Sequence, residues 1–270
     1  MKRIAVVSLG VLAIALMACE GDNPSEPGGT LPTVTGLTVD WASSEGNSIV
    51  LNWTAVTGET IDGYEVYFSA TEGGTWSEVG DVTGTTFTHT ATSAGYYSVR
   101  AYEGDNFSEA YATAVNTMPY VSASVTIYDN NAPEQYDSGF IFNYSGGETG
   151  QASSPSFVQD MYCYDYSKGD GDAGFSSGDY GTFGNGNETW FYAAGGTYGY
   201  CPEYGTDWWN HGQLEASDDV IFAILHDGLY AKIIIEDIFP EETSANGTGV
   251  QFHYELPYED GITVFTTDSN

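Results

Sequence analysis

Residues 48–53 read Ser-Ile-Val-Leu-Asn-Trp, an alternation of polar and apolar side chains that ends on a tryptophan. Residues 61–67, Ile-Asp-Gly-Tyr-Glu-Val-Tyr, begin with a turn at Asp-Gly and then alternate in the same way. Successive side chains of a strand point to opposite faces of a sheet, so each stretch predicts a strand with one buried face. Together they predict two strands of a β-sandwich.

The same pattern continues on both sides of these stretches, in short runs separated by turn residues. Gly and Asn, which accept positive φ angles, occupy the turns. Seven strands in about 85 residues is the count of an immunoglobulin-like sandwich, which we predict for residues 33–117. The predicted strands are Val34–Val39, Ile49–Trp53, Tyr64–Phe68, Trp76–Val79, Thr85–His89, Tyr97–Tyr102 and Tyr111–Val115.

Residues 33–117 resemble a fibronectin type III domain. Residues 48–53 look like the second strand of that family with its core Trp, and residues 61–67 look like its third strand. Residues 97–101, Tyr-Ser-Val-Arg-Ala, match the Tyr-x-Val-x-Ala run of the family. The resemblance therefore implies that Tyr97 is a tyrosine-corner residue whose hydroxyl bonds nearby backbone. It also implies a spacer or adhesive module without chemistry, and no Arg-Gly-Asp occurs in the chain.

A second β-rich domain is predicted for residues 119–270, after Met118-Pro119 closes the first pattern. Residues 144–218 are dominated by Gly, Ser, Asp, Asn and aromatic residues. No stretch has sustained helical periodicity, so the whole chain is predicted to be all-β. Residues 228–235, followed by residues 250–254, look similar to the C-terminal β modules of several secreted bacterial lipoproteins of unassigned function. The predicted strands are Val121–Ile127, Gly139–Phe142, Val220–Leu225, Tyr230–Ile235, Val250–Glu255 and Ile262–Phe265.

Residues 1–18 have the form of a signal peptide. Two basic residues precede an uninterrupted apolar stretch at residues 4–16, which is too short to cross about 30 Å of hydrocarbon. Residues 16–19, Leu-Met-Ala-Cys, resemble a bacterial lipobox, which implies acylation of Cys19 and a membrane anchor through an N-terminal lipid. Ordinary secretory cleavage before that cysteine is the alternative. Residues 19–32 predict a flexible tether, and the expected location is the cell envelope, at the outer membrane or cell surface.

The charge balance excludes one class of partner. The chain has 38 Asp and Glu residues against 5 Lys and Arg, a formal net charge of -33. A nucleic-acid binder needs a basic surface that releases counterions from phosphate, so nucleic acid is not an expected partner. Disorder is excluded because 41% of the residues are hydrophobic and 15% are aromatic. The acidity indicates either adaptation to salt or calcium, or an acidic secreted surface without a specific ion, and we favour the second.

Two cysteines remain besides Cys19. Cys163 and Cys201 would fold in an oxidising compartment, so we predict a disulfide between them. It would close a loop of about 39 residues and stabilise the fold by roughly 3–4 kcal/mol. The alternatives are two free thiols or half of a metal site. Zinc is disfavoured because none of the four histidines stands at metal-ligand spacing from either cysteine.

Calcium is the one ion that the sequence suggests. Asp165, Asp170 and Asp172 lie in a Gly-rich stretch at residues 164–174, and Asp179 follows it. Oxygen ligands spaced by glycine suit Ca²⁺, which takes six to eight oxygens from a flexible backbone. The stretch lacks the spacing of an EF-hand loop, and a solvated acidic turn is the interpretation that we favour. No other cofactor is predicted.

Aromatic residues crowd residues 190–209. Ring faces stack on the C–H faces of sugars, so one interpretation is a carbohydrate platform made by Trp190, Tyr204, Trp208 and Trp209. The other, which we favour, is that a helix-free β domain fills its core with large rings. The aromatic residues of this segment are Trp190, Phe191, Tyr192, Tyr198, Tyr200, Tyr204, Trp208 and Trp209.

No Ser-His-Asp order, nucleophile elbow, Gly-rich phosphate loop or metalloprotease helix occurs in the sequence. We therefore predict a lipid-anchored envelope protein with a non-catalytic binding, adhesion or structural role, in which the C-terminal domain recognises a glycan or a protein. The alternative is a secreted or surface hydrolase that acts on glycans through paired carboxylates. Chance pairs such as Asp218-Asp219 are expected among so many acids and carry little weight.

Overall fold

The structure, a computed structural model, describes residues 31–165, 173–181, 185–195, 198–214, 219–239 and 247–267. These residues form nineteen strands and a single turn of 3-10 helix at Trp41–Ser43, which confirms the all-β prediction. None of the described helical residues forms a helix long and apolar enough to cross a bilayer. The predicted signal peptide and Cys19 lie outside the described residues, and Leu31, at the end of the predicted tether, is already buried in the first domain.

The first eight strands form the predicted immunoglobulin-like sandwich. They are β1 (Thr35–Val39), β2 (Ser48–Thr54), β3 (Gly63–Ser69), β4 (Ser77–Val82), β5 (Thr86–Thr90), β6 (Tyr96–Glu103), β7 (Asn106–Phe107) and β8 (Val115–Asn116). One sheet has the order β1-β2-β5. The facing sheet has the order β4-β3-β6-β7, and β8 pairs with β6. The predicted strand at residues 111–115 is reduced to its last residue, because β8 begins at Val115.

The core of this first sandwich follows the alternation that the sequence shows. Ile49, Leu51 and Trp53 point inward from β2 and are at most 6% exposed. Trp53 packs edge-on against Tyr64 of β3, with ring centroids 5.4 Å apart. The prediction that Trp53 lies in the core is confirmed.

Tyr97 is buried, but its hydroxyl bonds a side chain. The phenol oxygen lies 2.9 Å from Nδ1 of His89, because β5 and β6 belong to facing sheets and these two side chains meet between them. The hydroxyl that bonds backbone belongs to Tyr64, which accepts from the N–H of Val56 at 2.9 Å. The backbone partner implied for Tyr97 is therefore wrong.

The other eleven strands lie in the part of the chain predicted to be the second domain, and they form two antiparallel sheets. The described residues from Leu31 onward cluster as one compact unit, so the second domain is used here as the name of that part of the chain. Its strands are β9 (Tyr120–Val121), β10 (Val125–Tyr128), β11 (Gly139–Ile141), β12 (Glu148–Gly150), β13 (Met161–Asp165), β14 (Ala173–Ser177), β15 (Thr189–Ala193), β16 (His211–Gln213), β17 (Val220–Leu225), β18 (Tyr230–Phe239) and β19 (Gly249–Leu256). The large sheet has the order β10-β19-β18-β17-β15, with β9 paired to β19. The small sheet has the order β12-β11-β13-β14-β16.

The structure adds strands to one segment of this domain and changes the prediction for another. Residues 144–218, for which the sequence predicts no strand, contain strands β12–β16. The predicted strand at residues 262–265 forms isolated bridges instead of a ladder, one between Ile262 and Gly46 and one between Val264 and Tyr200. This segment leaves the second domain's sheets and packs between the two sandwiches, so it has no neighbouring strand along its full length.

The large sheet buries both of its faces. Ile221 and Ala223 of β17 point toward the small sheet and join a core of aliphatic side chains and phenylalanines, which we call the closed face. Phe222, between them, points the other way and packs with Cys201 and Trp208, on what we call the ring face. Burial on both sides explains why β17 reads as an unbroken apolar run rather than as an alternation.

Candidate functional site

The predicted disulfide does not form. Cys163 of β13 belongs to the core of the closed face, and Cys201 belongs to the cluster on the ring face, so the large sheet lies between them. A disulfide needs its two Cα atoms within about 7 Å, which this arrangement prevents. The Cys201 thiol donates to the carbonyl oxygen of Pro202 at 3.4 Å. Burial raises the pKa of that thiol, so it stays protonated and unreactive at neutral pH.

The predicted calcium ligands fall largely outside the described residues. Asp170 and Asp172 are not described, and Asp165 is described only as the last residue of β13. Asp179 accepts a hydrogen bond from Oγ of Ser177 at 2.5 Å. Within the described ranges, no group of three or more His, Cys, Asp or Glu side chains is arranged to hold a metal ion. A calcium site at residues 165–172 stays a prediction.

Trp208 and Trp209 do not form a platform. They are consecutive residues of an extended segment in which Trp209 bridges Phe191 of β15, so their side chains point to opposite faces. Trp208, 7% exposed, enters the cluster of the ring face. Trp209 packs on the core of the closed face, with its ring centroid 5.0 Å from that of Phe191. Trp208 is buried and Trp209 is partly buried against the core of the closed face, so neither belongs to the predicted four-ring platform.

Trp190 and Tyr204, the other two predicted platform residues, meet at the open edge of the ring face. Their ring centroids are 5.5 Å apart and their planes cross at 71°, an edge-to-face contact. Nε1 of Trp190 donates to Oε1 of Glu188 at 3.1 Å, which fixes the indole. The ring of Tyr204 is 50% exposed, and the buried ring of Trp208 supports it at 5.7 Å.

These two rings line a hollow of about 410 Å³, which we call the Trp190–Tyr204 groove. Ile224 of β17 lines it beside Trp190, because β15 pairs with β17 and the two residues lie directly opposite each other. Glu188 and His226 bring a carboxylate and an imidazole to the same hollow. The groove thus combines aromatic rings, an aliphatic side chain and two hydrogen-bonding groups, which is the usual composition of a small-ligand site.

A buried carboxylate lies close to the turn that carries His226. Asp160 is 2% exposed, and its Oδ1 lies 3.7 Å from Nδ1 of His226. Burial raises the pKa of Asp160, while hydrogen bonds from the Asn187 side chain and the Phe142 N–H lower it. Because protein donors engage both of its oxygens, Asp160 anchors the site rather than facing the groove. Glu188, Asp160 and His226 were not predicted from sequence, which holds no local signal for them.

A larger hollow, of about 670 Å³, lies between the two sandwiches. Asn47 and Thr88 line it from the first sandwich, and Tyr200, Glu203 and Tyr230 line it from the second domain. Both tyrosines are half-buried, whereas Tyr204 of the Trp190–Tyr204 groove is 50% exposed. The Trp190–Tyr204 groove is therefore the better place for a ligand that stacks on aromatic rings.

Comparisons with known proteins give a limited result. No family model matches the chain, and no curated protein matches it. Among solved structures, the chain is similar to a Fn3-like protein from Clostridium thermocellum, with 28% identity over 31% of this chain and 86% of that chain and a TM-score of 0.27. It is also similar to the fibronectin type-III domain of human fibronectin type III domain containing protein 3, with 16% identity over 36% of this chain and 89% of that chain and a TM-score of 0.28. Both TM-scores are low, so these similarities support no inference about function.

Proposed function

We propose that the chain is a lipid-anchored protein of the cell envelope whose C-terminal domain binds uncharged glycans in the Trp190–Tyr204 groove. The exposed ring of Tyr204, held beside Trp190 over a hollow of about 410 Å³, is the observation that carries the proposal. A pyranose ring stacks its C–H face on such a ring. Glu188 and His226 then offer hydrogen bonds to its hydroxyls.

The charge of the protein favours an uncharged ligand. The whole chain carries a formal net charge of -33, and the described residues that line the groove include neither Lys nor Arg. An anionic polysaccharide would be repelled by this field without a cation in the groove to compensate. A neutral glycan pays no such electrostatic penalty.

The carboxylates near the groove favour binding over hydrolysis. A glycoside hydrolase needs one acid that can give its proton and one carboxylate free to act as base or nucleophile. Asp160 is engaged by Asn187 and by backbone, and Glu188 accepts from the Trp190 indole. Glu188 is the one carboxylate among the described residues that line the groove, so they offer no second one for the acid-and-base pair that hydrolysis needs. The proposal is therefore a glycan-binding module without turnover.

The binding proposal is tested with the soluble form, residues 20–270, and a panel of neutral oligosaccharides followed by tryptophan fluorescence and by product analysis. We expect retention of at least one glycan without cleavage. Tyr204→Ala and Trp190→Ala should each weaken binding about tenfold, which corresponds to about 1.4 kcal/mol. Tyr258→Ala, which removes a ring that is 64% exposed outside the groove, is the matched control. Wild-type affinity in Tyr204→Ala, or binding by no neutral glycan, would refute the proposal.

The anchor is tested separately, because it rests on residues 16–19. Cys19→Ser should move the protein from the membrane fraction to a soluble or unprocessed form. Mass spectrometry of the N-terminal peptide should find acyl chains on the wild-type cysteine. Unchanged membrane association, with no lipid on the wild-type peptide, would contradict the anchor and leave the glycan proposal untouched.

A further inference from the structure

The segment Gly261–Thr267 runs between the two sandwiches and bonds the first of them through its backbone. The N–H of Gly46 donates to the carbonyl oxygen of Gly261, and the N–H of Thr263 donates to that of Gly46, both at 2.9 Å. Farther along, the N–H of Ala94 donates to the carbonyl oxygen of Phe265 at 2.6 Å. The segment is thus paired with two separate loops of the first domain.

The same segment bonds the second domain along its other edge. The N–H of Cys201 donates to the carbonyl oxygen of Thr263 at 2.8 Å, and the N–H of Phe265 donates to that of Gly199 at 2.8 Å. The segment is therefore hydrogen-bonded on both sides without forming a regular ladder, much as an extended peptide bonds a sheet edge.

Its side chains divide between two cores. Ile262 and Val264 are at most 2% exposed and belong to the core cluster of the first sandwich. Phe265 is fully buried and belongs to the cluster on the ring face, with its ring centroid 5.5 Å from that of Phe222. One continuous segment therefore completes the apolar cores of both domains.

A buried ion pair holds the end of this segment. Nζ of Lys232 lies 3.3 Å from Oε1 of Glu255, and both side chains are at most 2% exposed. Lys232 also donates to the carbonyl oxygen of Thr266 at 3.0 Å, and the N–H of Thr266 donates to Oε2 of Glu255 at 2.9 Å. The Thr266 hydroxyl donates to Glu255 as well. A buried ion pair needs such additional partners to offset its desolvation, so pair and segment depend on each other.

We propose that Gly261–Thr267 is a strap that fastens the two sandwiches into one cooperative unit, and that the junction is an acceptor site for this extended peptide. The first domain is then a rigid arm of the groove-bearing domain rather than a flexible spacer. The peptide that occupies this site is the chain's own segment. Its backbone bonds both domains, its side chains are buried in both cores, and its end bonds the buried ion pair.

The direct test compares residues 20–270 with a chain that ends at Asp260, each followed by calorimetry and by hydrogen exchange resolved for the two domains. We expect one transition in the intact chain. In the shortened chain the domains should unfold separately, with the first midpoint lower by about 10 °C or more. A synthetic peptide of residues 261–267 should restore the single transition, and the same peptide with Val264→Lys should not. A shortened chain with one transition at the intact midpoint would overturn the proposal.

A pair of neighbouring point variants keeps the test decisive if the shortened chain does not fold. Thr266→Ala removes the hydroxyl bonded to Glu255, whereas Thr267→Ala changes an exposed residue next to it. Thr266→Ala should lower the midpoint by about 2–4 °C and speed hydrogen exchange at Ala94 and Cys201. Thr267→Ala should behave as wild type. Equal behaviour of the two variants would also overturn the proposal.

Discussion

The two faces of the large sheet are buried in different ways. On the closed face, the strands of the small sheet cover the apolar side chains, and Phe252 lies fully buried among other rings. On the ring face, a loop through Cys201 and Trp208 and the strap at residues 261–267 provide the cover. A loop follows the sheet less closely than another sheet does, so the edge at Tyr204 stays open. A binding site is therefore expected on the ring face, which a loop covers, rather than on the closed face.

Phe252→Ala tests the closed face and should have the largest effect on stability. Phe252 is fully buried, and its ring centroid lies 5.2 Å from that of Phe140. Deleting a buried ring leaves a cavity, so we expect a loss of about 3–5 kcal/mol in the free energy of unfolding, measured in urea. The folded fraction should keep its affinity for glycans. A loss below about 1 kcal/mol would mean that this face is not the tightly packed one.

Trp208→Ala tests the cover of the ring face. Trp208 is 7% exposed and lies in a loop, so we expect a loss at the lower end of the same range, about 3 kcal/mol. Glycan affinity should fall too, because Trp208 supports the ring of Tyr204. Unchanged stability with complete loss of glycan response would instead make Trp208 a contact residue of an exposed platform.

Substitution of the two cysteines tests both faces with smaller changes in side-chain volume. Cys163→Ala on the closed face and Cys201→Ala on the ring face should each cost about 1 kcal/mol, and the double variant should cost their sum. Additivity is expected because the large sheet separates the two side chains. Intact mass should match two thiols that alkylate only after unfolding. A mass deficit of two hydrogens that disappears on reduction would restore the disulfide that the sequence favours.

Acid should weaken the first sandwich slightly through His89. Burial lowers the pKa of His89 below its usual value of about 6.5, so the unfolded chain binds the proton more readily than the folded chain. The free energy of unfolding should therefore fall as the pH drops through about 6.5. His89→Asn should flatten this dependence between pH 7.5 and pH 5.5, as followed by urea unfolding. An unchanged slope in the variant would show that other groups cause it.

The sequence predicts the first sandwich better than the second domain, for a reason visible in single residues. In β2 the alternation is clean because one face is buried and the other is partly exposed. In β14 every residue is buried, and Ser176 and Ser177 hide their hydroxyls by hydrogen bonding to His211 and Asp179. Buried serines interrupt the apolar run that would predict a buried strand. Strands β12 and β16 are only three residues long, which is too short for an alternation to be recognised.

The sequence predicts the segment that carries the site, but not the individual residues that form it. The crowding of rings marks residues 190–209 as the segment to examine, and alternation alone places Trp208 and Trp209 on opposite faces once that segment is extended. The partners of the groove could not be predicted. Trp190 meets Ile224 and His226 only through the pairing of β15 with β17, a contact between residues more than thirty positions apart in the chain.

The central claim is that the ring face is open at Trp190 and Tyr204 and that a neutral glycan binds there and covers both rings. Hydroxyl-radical footprinting with peptide mass spectrometry tests this directly, with and without the glycan that the panel retains. Tyr204 should oxidise fastest, Trp190 more slowly and Trp208 least, following their exposure. Adding the glycan should protect Tyr204 and Trp190 and leave exposed Tyr258 unchanged. Oxidation of Trp208 at the rate of Tyr204, or no protection of Tyr204 by bound glycan, would contradict the account.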